Sequence, residues 1–395
     1  MYLKKVLEDQ VAGWKKIEEL KRINLLKLRE GVSVGSLSEV FERGASSVRE
    51  ILNELITGGM SFENTDPGHG LGHFIRDYLN AMRLAARLSA DPKDIFIGIL
   101  GGAFHDIGCA FMGRYDEPTR LIKHAEAAAL VLEHIFSLNN CGLNRAEQLL
   151  VEYGAAAHTH YLKPNKFKFN GETYFVEPYR DEEDGKPILA VWFPRWVDRL
   201  DCNGPTFVGR YYLTLVEPRK DFSGEGYYYE VKFADHLRPL LRSSEEIKAD
   251  GGKQTMLEHL NMFAKSQTNT SPYGKHDFGA MSGMRDRQTA RLNRIIAARS
   301  LACGGGEERT FHDWNLFLAK NIEPTKSGVK AVAALGKAFS ELPEVSKSAW
   351  TSCFSTALDE YFAWEAEVRI DFRQMRRQGL PQPEEALLGI ISPAY

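Results

Sequence analysis

The stretch GGAFHDIGCAF, residues 101–111, places a histidine beside an aspartate in an otherwise apolar run. The apolar residues that lead into it, 95–104, predict a buried helix. Burial of His105 and Asp106 without partners would cost several kcal/mol. A salt-bridged pair, a catalytic acid–base pair or a metal ion could offset that cost. If His105 and Asp106 are buried, the residues that pair with them or bind the same metal ion must lie elsewhere in the chain.

Composition is that of an ordinary globular protein. The 395 residues are 43% hydrophobic and 26% charged, and the formal net charge of −3 gives no basic field that would favour nucleic acid. The N-terminus resembles a charged amphipathic helix and not a signal peptide, and the longest apolar run is about half of a bilayer span. The five cysteines are scattered without a CxxC pair. We expect a cytoplasmic protein with no membrane partner, and homo-oligomer formation stays open.

Hydrophobic periodicity predicts a mainly α-helical chain with helical extensions at both ends. The first two helices, at 2–30 and 36–58, form a hairpin, for which a DNA-reading helix-turn-helix is the alternative. Further helices are expected at 72–89, from Pro92 onward, at 119–137, at 144–160, around Asp198, and at 326–342 and 346–377.

The periodicity changes to that of β-strands after residue 165. Residues 166–179 alternate around Asn170-Gly171, which is a strong signal for a tight hairpin turn. A second hairpin is predicted over 210–233. These strands are rich in aromatic side chains, which could line a cavity that takes a flat group or could simply pair across the strands.

Histidines concentrate in one part of the chain. Seven of the eleven fall within 92 residues: His69, His73, His105, His124, His134, His158 and His160. Each lies on or beside a predicted helix, so several can face one groove. Imidazole and carboxylate groups are the ligands that hold divalent transition metals. Any one of these histidines taken alone is more often an ordinary core or surface residue, so their order along the chain decides the interpretation.

That order resembles the HD-domain superfamily of metal-dependent phosphohydrolases in its six-ligand, binuclear form. The motifs that carry the resemblance span about residues 66–203 and read GHGLGHFIRD, FHDIG, KHAEAAA, AAAHTH and VDRLD. The resemblance implies an HD-domain helical bundle, here with a small β-hairpin insert, that holds two divalent ions. Iron, manganese and other transition metals are the candidates, with magnesium as a further one. It also implies that a metal-bridged hydroxide hydrolyses a phosphoester or phosphoanhydride bond in a nucleotide-like metabolite.

Carried over position by position, the resemblance assigns six metal ligands. The first ion would be held by His73, His105, Asp106 and Asp198. The second ion would be held by His124, His158 and the bridging Asp106. The resemblance also accounts for the buried Asp106, because the two cations would neutralise its charge.

Two further histidines are predicted to take part in the reaction beside the catalytic Asp106. His69 lies one helical turn before His73, and His160 lies two residues after His158. Either could contact a phosphate or protonate a leaving group. His160 could also replace His158 as a ligand, because the sequence HTH offers both.

Arginines are the candidates for phosphate binding. Arg76 and Arg199 flank predicted ligands, although arginines at helix surfaces usually form ion pairs. A basic stretch at 271–300 could cap the site, and a helix with a solvated basic face is the alternative.

Cys109 stands after HDIG, where many relatives carry lysine, and the GYP motif of one branch is absent. The resemblance therefore predicts the fold and the metal site, but it does not identify the substrate.

Two other functions stay open beside the expected phosphohydrolase. The mixed-valent di-iron oxygenases of the superfamily share the same ligand order, and a regulatory nucleotide-binding module could keep the site for sensing.

The predicted organisation has three parts: an N-terminal helical hairpin (1–60), an HD-type metal-binding domain with the β-hairpin insert (61–240) and a C-terminal helical region (241–395).

Overall fold

The computed structural model describes most of the first half of the chain and two helices of the second half. The described residues are 10–60, 69, 71–110, 117–158, 166–169, 172–175, 179–202, 204–205, 279–302 and 344–380. Over these residues the protein is mainly helical, which confirms the predicted class. None of the helices within these ranges combines the length and the apolar character needed to cross a bilayer.

The helices and strands are numbered in chain order. The helices are α1 (Gln10–Lys21), α2 (Leu25–Glu30), α3 (Leu37–Thr57), α4 (Leu71–Ala85), α5 (Pro92–Phe104), α6 (Glu117–Leu138), α7 (Arg145–Ala157), α8 (Leu189–Cys202), α9 (Gly279–Ala302) and α10 (Glu344–Arg377). The strands are β1 (Lys166–Phe169), β2 (Glu172–Phe175), β3 (Glu182–Glu183) and β4 (Lys186–Pro187). A short 3-10 turn, Ile107–Ala110, follows α5.

The N-terminal segment differs from the predicted single helix over 2–30. It contains two helices, α1 and α2, separated by a break at residues 22–24. Asn24 sets the start of α2, because its side chain accepts a hydrogen bond from the backbone N–H of Lys27. The next helix, α3, begins after the predicted cap Ser36, whose hydroxyl accepts from the backbone N–H of Glu39.

Helix α5 lies in the middle of a helical core. All of its residues from Ile95 to Phe104 are buried, and the helix packs against α3, α4 and α7. Its start follows from local chemistry: the Asp91 side chain accepts from the backbone N–H of Lys93, and Pro92 occupies the first turn. The end of this buried helix is the His-Asp pair.

Glycines allow α8 to pack closely on α5 and α7. A Cβ atom on Gly98 would lie 2.5 Å from Cγ of Phe193, and one on Gly154 would lie 2.2 Å from the carbonyl oxygen of Ala190. Close packing of this kind needs a residue without a side chain. It positions α8, which carries Asp198, against the two helices that end at predicted ligands.

The predicted hairpin is present. Strands β1 and β2 pair antiparallel with Phe167 opposite Tyr174 and Lys168 opposite Thr173. A second, smaller hairpin, β3–β4, was not predicted; it turns through Asp184 and Gly185, both with positive φ. The hairpin predicted over 210–233 and the helix predicted over 326–342 lie outside the described residues.

The described residues form two compact units. The first contains those up to Asp198 together with 370–380, and the second contains those from Arg199 to Arg369. The three-part organisation expected from the sequence stays a prediction.

Within the second unit, arginines of the basic stretch at 271–300 pair with acidic residues of α10. Arg287 and Arg291 pair with Glu367, and Arg294 pairs with Glu360. The positive charge of α9 is therefore partly balanced inside its own unit. A role of this stretch as a cap over the site stays a prediction.

Candidate metal centre

Four imidazoles surround one carboxylate in the first unit. Oδ1 of Asp106 lies 3.1 Å from Nε2 of His124 and 3.1 Å from Nε2 of His158. Its other oxygen, Oδ2, lies 2.9 Å from Nε2 of His73 and 3.5 Å from Nε2 of His105. Each carboxylate oxygen therefore faces its own pair of imidazole nitrogens.

Among the described residues of the first unit, two groups of side chains are close enough to hold a metal ion each. The first is His73, His105, Asp106 and Asp198, and the second is Asp106, His124 and His158. In each group the candidate ligand atoms lie within 4.8 Å of one another. The structure thus brings together the six residues that the sequence resemblance assigns, in the same two groups.

Two of these histidines occupy the ends of helices. His105 and His158 are the C-cap residues of α5 and α7. Their Nδ1 atoms lie 2.9 Å and 2.7 Å from the carbonyl oxygens of Gly102 and Ala155. The last carbonyls of a helix have no intrahelical donor, so the ring N–H satisfies them. Nε2 is then the nitrogen that each ring directs at Asp106.

A glycine brings α6 next to the carboxylate. A Cβ atom on Gly108 would lie 2.2 Å from the carbonyl oxygen of His124 and 2.6 Å from the backbone nitrogen of Ala128. The 3-10 turn after Asp106 can therefore contact the α6 backbone directly. This contact places the His124 ring beside Asp106.

Arg195 connects the end of α7 with α8 and was missed by the sequence analysis. The side chain is buried and donates hydrogen bonds to the carbonyl of Ala157, at 2.8 Å, and to Asp181, at 2.7 Å. Ala157 precedes His158, and Arg195 lies one helical turn before Asp198. The contact therefore fixes two ligand-bearing segments relative to each other. The available signal was a charged residue inside the apolar segment VWFPRWV.

The electrostatics of the cluster favour an anionic carboxylate. Burial opposes the charge of Asp106, but His105 and His124 beside it hold its pKa well below the usual range. Burial also opposes the charge of His105, yet the adjacent Asp106 outweighs this and raises the pKa of His105 to about 9. Burial lowers the pKa of His158 to about 4, so this ring is neutral at pH 7. A bound cation can replace the proton that balances Asp106.

The donor atoms fit a metal ion. His105 Nε2 and Asp106 Oδ1 are buried, and their contacts within the described residues do not have the angles of a good hydrogen bond, which is costly unless another partner satisfies them. Ligand atoms that bind one ion at about 2.1 Å and at right angles lie about 3.0 Å apart. The shortest distances around Asp106, 2.9 and 3.1 Å, match that spacing.

His69 lies at the edge of this cluster. Its Nε2 is 3.8 Å from Oδ2 of Asp106, and its side chain is 20% exposed, whereas that of His73 is 1% exposed. It is therefore the imidazole that a bound substrate could reach most directly. His160 lies outside the described residues, and its role stays a prediction.

The two arginines predicted to bind phosphate are buried. Arg76 lies on α4, three residues after His73, and Arg199 lies on α8, directly after Asp198. Their contact with a phosphate stays a prediction.

Asp77 is a second residue that the sequence analysis missed. It is 1% exposed, and its Oδ2 lies 3.0 Å from Nε2 of His73 and 3.8 Å from Nε2 of His105. The spacing of four from His73 in HFIRD puts both side chains on one helix face. That spacing is the sequence feature from which Asp77 could have been predicted to lie near His73.

Comparisons with known protein families, curated proteins and solved structures found no match to this chain. The function is therefore inferred from the cluster itself and from the order of its motifs.

Proposed function

We propose that this protein is an HD-domain metal-dependent phosphohydrolase that cleaves a phosphoester or phosphoanhydride bond in a nucleotide-like metabolite. The observation that carries the proposal is the division of the two Asp106 oxygens between two groups of ligands. A carboxylate placed in this way can hold two cations side by side, which is the arrangement that two-metal phosphoryl hydrolysis uses. The ordered sequence motifs support the same reaction.

Two divalent cations, when held by the six ligands, would supply an activated water and would neutralise charge on the phosphoryl oxygens. The chain supplies the ligands and a proton donor. Water adds its oxygen to phosphorus and releases a proton to solvent. The bond between phosphorus and the leaving oxygen breaks, the electron pair stays on that oxygen, and His69 protonates it. The position of His69 at the exposed edge of the cluster supports this role.

The test is an anaerobic assay of the protein loaded with Mn²⁺ or Fe²⁺. Nucleoside mono-, di- and triphosphates, dinucleotides and a generic phosphoester are the substrates, and the reaction is run in ¹⁸O-labelled water. We expect one labelled oxygen in the phosphoryl product. Turnover that needs both iron and O₂ would support the oxygenase instead, and ligand binding without turnover would support the regulatory module.

A matched pair of variants tells whether this activity belongs to the cluster. Asp106→Ala removes the shared carboxylate, while His134→Ala removes a histidine that belongs to neither ligand group. We expect activity in the second variant only. Equal activity in both would exclude the cluster as the active site.

A further inference from the structure

A cavity of about 240 Å³ lies at the opposite end of two core helices from the candidate metal centre. Lys93 and Ile97 at the start of α5 line it, whereas His105 follows the last residue of that helix, about 18 Å from Lys93 along the axis. In α8, the first residue, Leu189, lines the cavity, and Asp198 lies more than two helical turns later. All of these residues belong to the first unit. The cavity is therefore separate from the metal centre.

The buried part of the cavity lining is apolar. Leu25, Ile97 and Leu150 line it, and each is at most 3% exposed. Leu26 also lines it and is 51% exposed, so a bound aliphatic group would cover apolar surface that now faces water. Pockets for small molecules combine an apolar lining of this kind with a few polar groups that fix the orientation of the ligand.

Two opposite charges lie side by side on the wall formed by the β3–β4 hairpin. Glu183 and Lys186 are directly opposite each other on the two strands, so their side chains share one face, and both line the cavity. Arg180 donates to Oε1 of Glu183, at 3.0 Å. Oε2 of Glu183 is buried and accepts no hydrogen bond from any described residue, which is costly without a further donor. Asp184, in the turn, also lines the cavity and is exposed.

The charged groups on the opposite wall are already engaged. Both oxygens of Asp94 accept hydrogen bonds from Arg29, at 2.7 and 2.9 Å. The ammonium group of Lys93 donates to the carbonyl oxygen of Glu30, at 3.1 Å. The hairpin therefore offers the polar groups that a ligand could meet with the least rearrangement.

We infer that this cavity binds a small aliphatic α-amino acid. The ammonium group of the ligand donates to Oε2 of Glu183, its carboxylate pairs with Lys186, and its alkyl side chain packs on the leucines of α2. An ammonium and a carboxylate on one carbon atom suit two cross-strand partners, whose Cβ atoms lie about 5 Å apart. The inference goes beyond the proposed function and does not rest on it.

The experiment is a calorimetric titration of the purified full chain with four probes. L-leucine carries all three groups, 4-methylpentanoate lacks the ammonium, 3-methylbutylamine lacks the carboxylate, and glycine lacks the alkyl side chain. We expect leucine to bind at least about tenfold more tightly than each of the others. The titration is repeated with EDTA, because amino acids also chelate divalent cations, and leucine should bind equally well.

Matched variants tell whether leucine binds at the hairpin. Glu183→Gln and Lys186→Gln each remove one charge, and each should weaken leucine binding at least about tenfold. Glu183→Gln should not weaken the binding of 4-methylpentanoate, which has no ammonium. The control is Glu182→Gln, on the same strand but outside the cavity lining, and it should bind leucine like the wild type.

The remaining outcomes overturn the inference. Absence of leucine binding does so directly, and equal binding of leucine and a probe with one charge would show that the site does not recognise a zwitterion. Loss of binding with EDTA would place leucine on a metal ion, and unchanged binding in both hairpin variants would place it elsewhere. Equal weakening by Glu182→Gln would show that the fold of the hairpin, and not its charges, is responsible. If Glu183→Gln does not fold, the exposed Lys186 provides the same test.

Discussion

Asp106 presents one carboxylate oxygen to His124 and His158 and the other to His73 and His105. Both proposed ions therefore depend on this one side chain. Asp106→Ala should lose both ions, because within the described part of the chain no other carboxylate belongs to both groups. Elemental analysis after dialysis measures this, and circular dichroism shows whether the variant is folded. A folded variant with both ions still bound would contradict the six-ligand assignment.

His69 differs from the ligands in its exposure and in its distance from Asp106. As a general acid it should matter for turnover and not for metal content. His69→Gln should keep both ions and lose about 10²- to 10⁴-fold in kcat for substrates with alkoxide leaving groups. The loss should be much smaller for a nitrophenyl ester, whose leaving group needs no proton. An equal loss for both substrates would indicate that His69 binds the phosphate instead.

At the scale of the elements, the packing of α7 against α8 sets the distance between His158 and Asp198. A Cβ atom on Gly154 would collide with a backbone carbonyl, at 2.2 Å from the oxygen of Ala190, and backbone cannot move aside as a side chain can. Gly154→Ala should therefore lower the free energy of unfolding by about 1–3 kcal/mol or more. Urea denaturation measures the change.

Gly44 on α3 provides the matched control. A Cβ atom there would meet Cγ2 of Ile99 at 3.7 Å, which is an ordinary van der Waals distance. Gly44→Ala should be neutral or should stabilise the protein by up to about 1 kcal/mol, because alanine favours a helix more than glycine does. Similar destabilisation by both substitutions would mean that loss of glycine, and not the close packing, is responsible.

At the scale of the whole molecule, Glu152 makes stability depend on pH. Burial raises the pKa of Glu152 from its ordinary value of 4.5 to about 7, although Arg145 opposes the shift. Between these two values the folded state binds more protons than the unfolded state, so stability falls as the pH rises. Well above pH 7 the ionised carboxylate destabilises the fold by on the order of 3 kcal/mol.

Glu152→Gln tests this dependence. The variant should be more stable than the wild type at pH 8, and the difference should shrink as the pH falls toward 4.5. Urea denaturation at several pH values measures it. The control is Glu18→Gln, which alters a carboxylate that is 43% exposed and pairs with Lys21 and Arg22, and it should change stability by less than about 1 kcal/mol at every pH. A pH-independent difference for Glu152→Gln would show that its carboxylate is not buried as described.

Features that depend on neighbouring residues could be predicted from the sequence. Asp91 with Pro92 marks the start of α5, Ser36 marks the start of α3, and Asn170-Gly171 marks the β1–β2 hairpin. In each case a side chain or a backbone preference acts within about four residues. The six candidate ligands could also be identified from the sequence, because their order along the chain carries the resemblance to HD domains.

Other features depend on which segments meet, and only the tertiary structure decided them. The spacing of Asp77 places it on the same face of α4 as His73, but not against the nitrogen of His105. From the sequence, Arg195 is only a charged residue in an apolar segment. The structure shows that it donates hydrogen bonds to Ala157 and Asp181. The physical reason is that a local pattern fixes the direction of a side chain relative to its own helix. What that side chain faces is set by the packing of helices distant in sequence, and this packing divides the two oxygens of Asp106 between two sets of histidines.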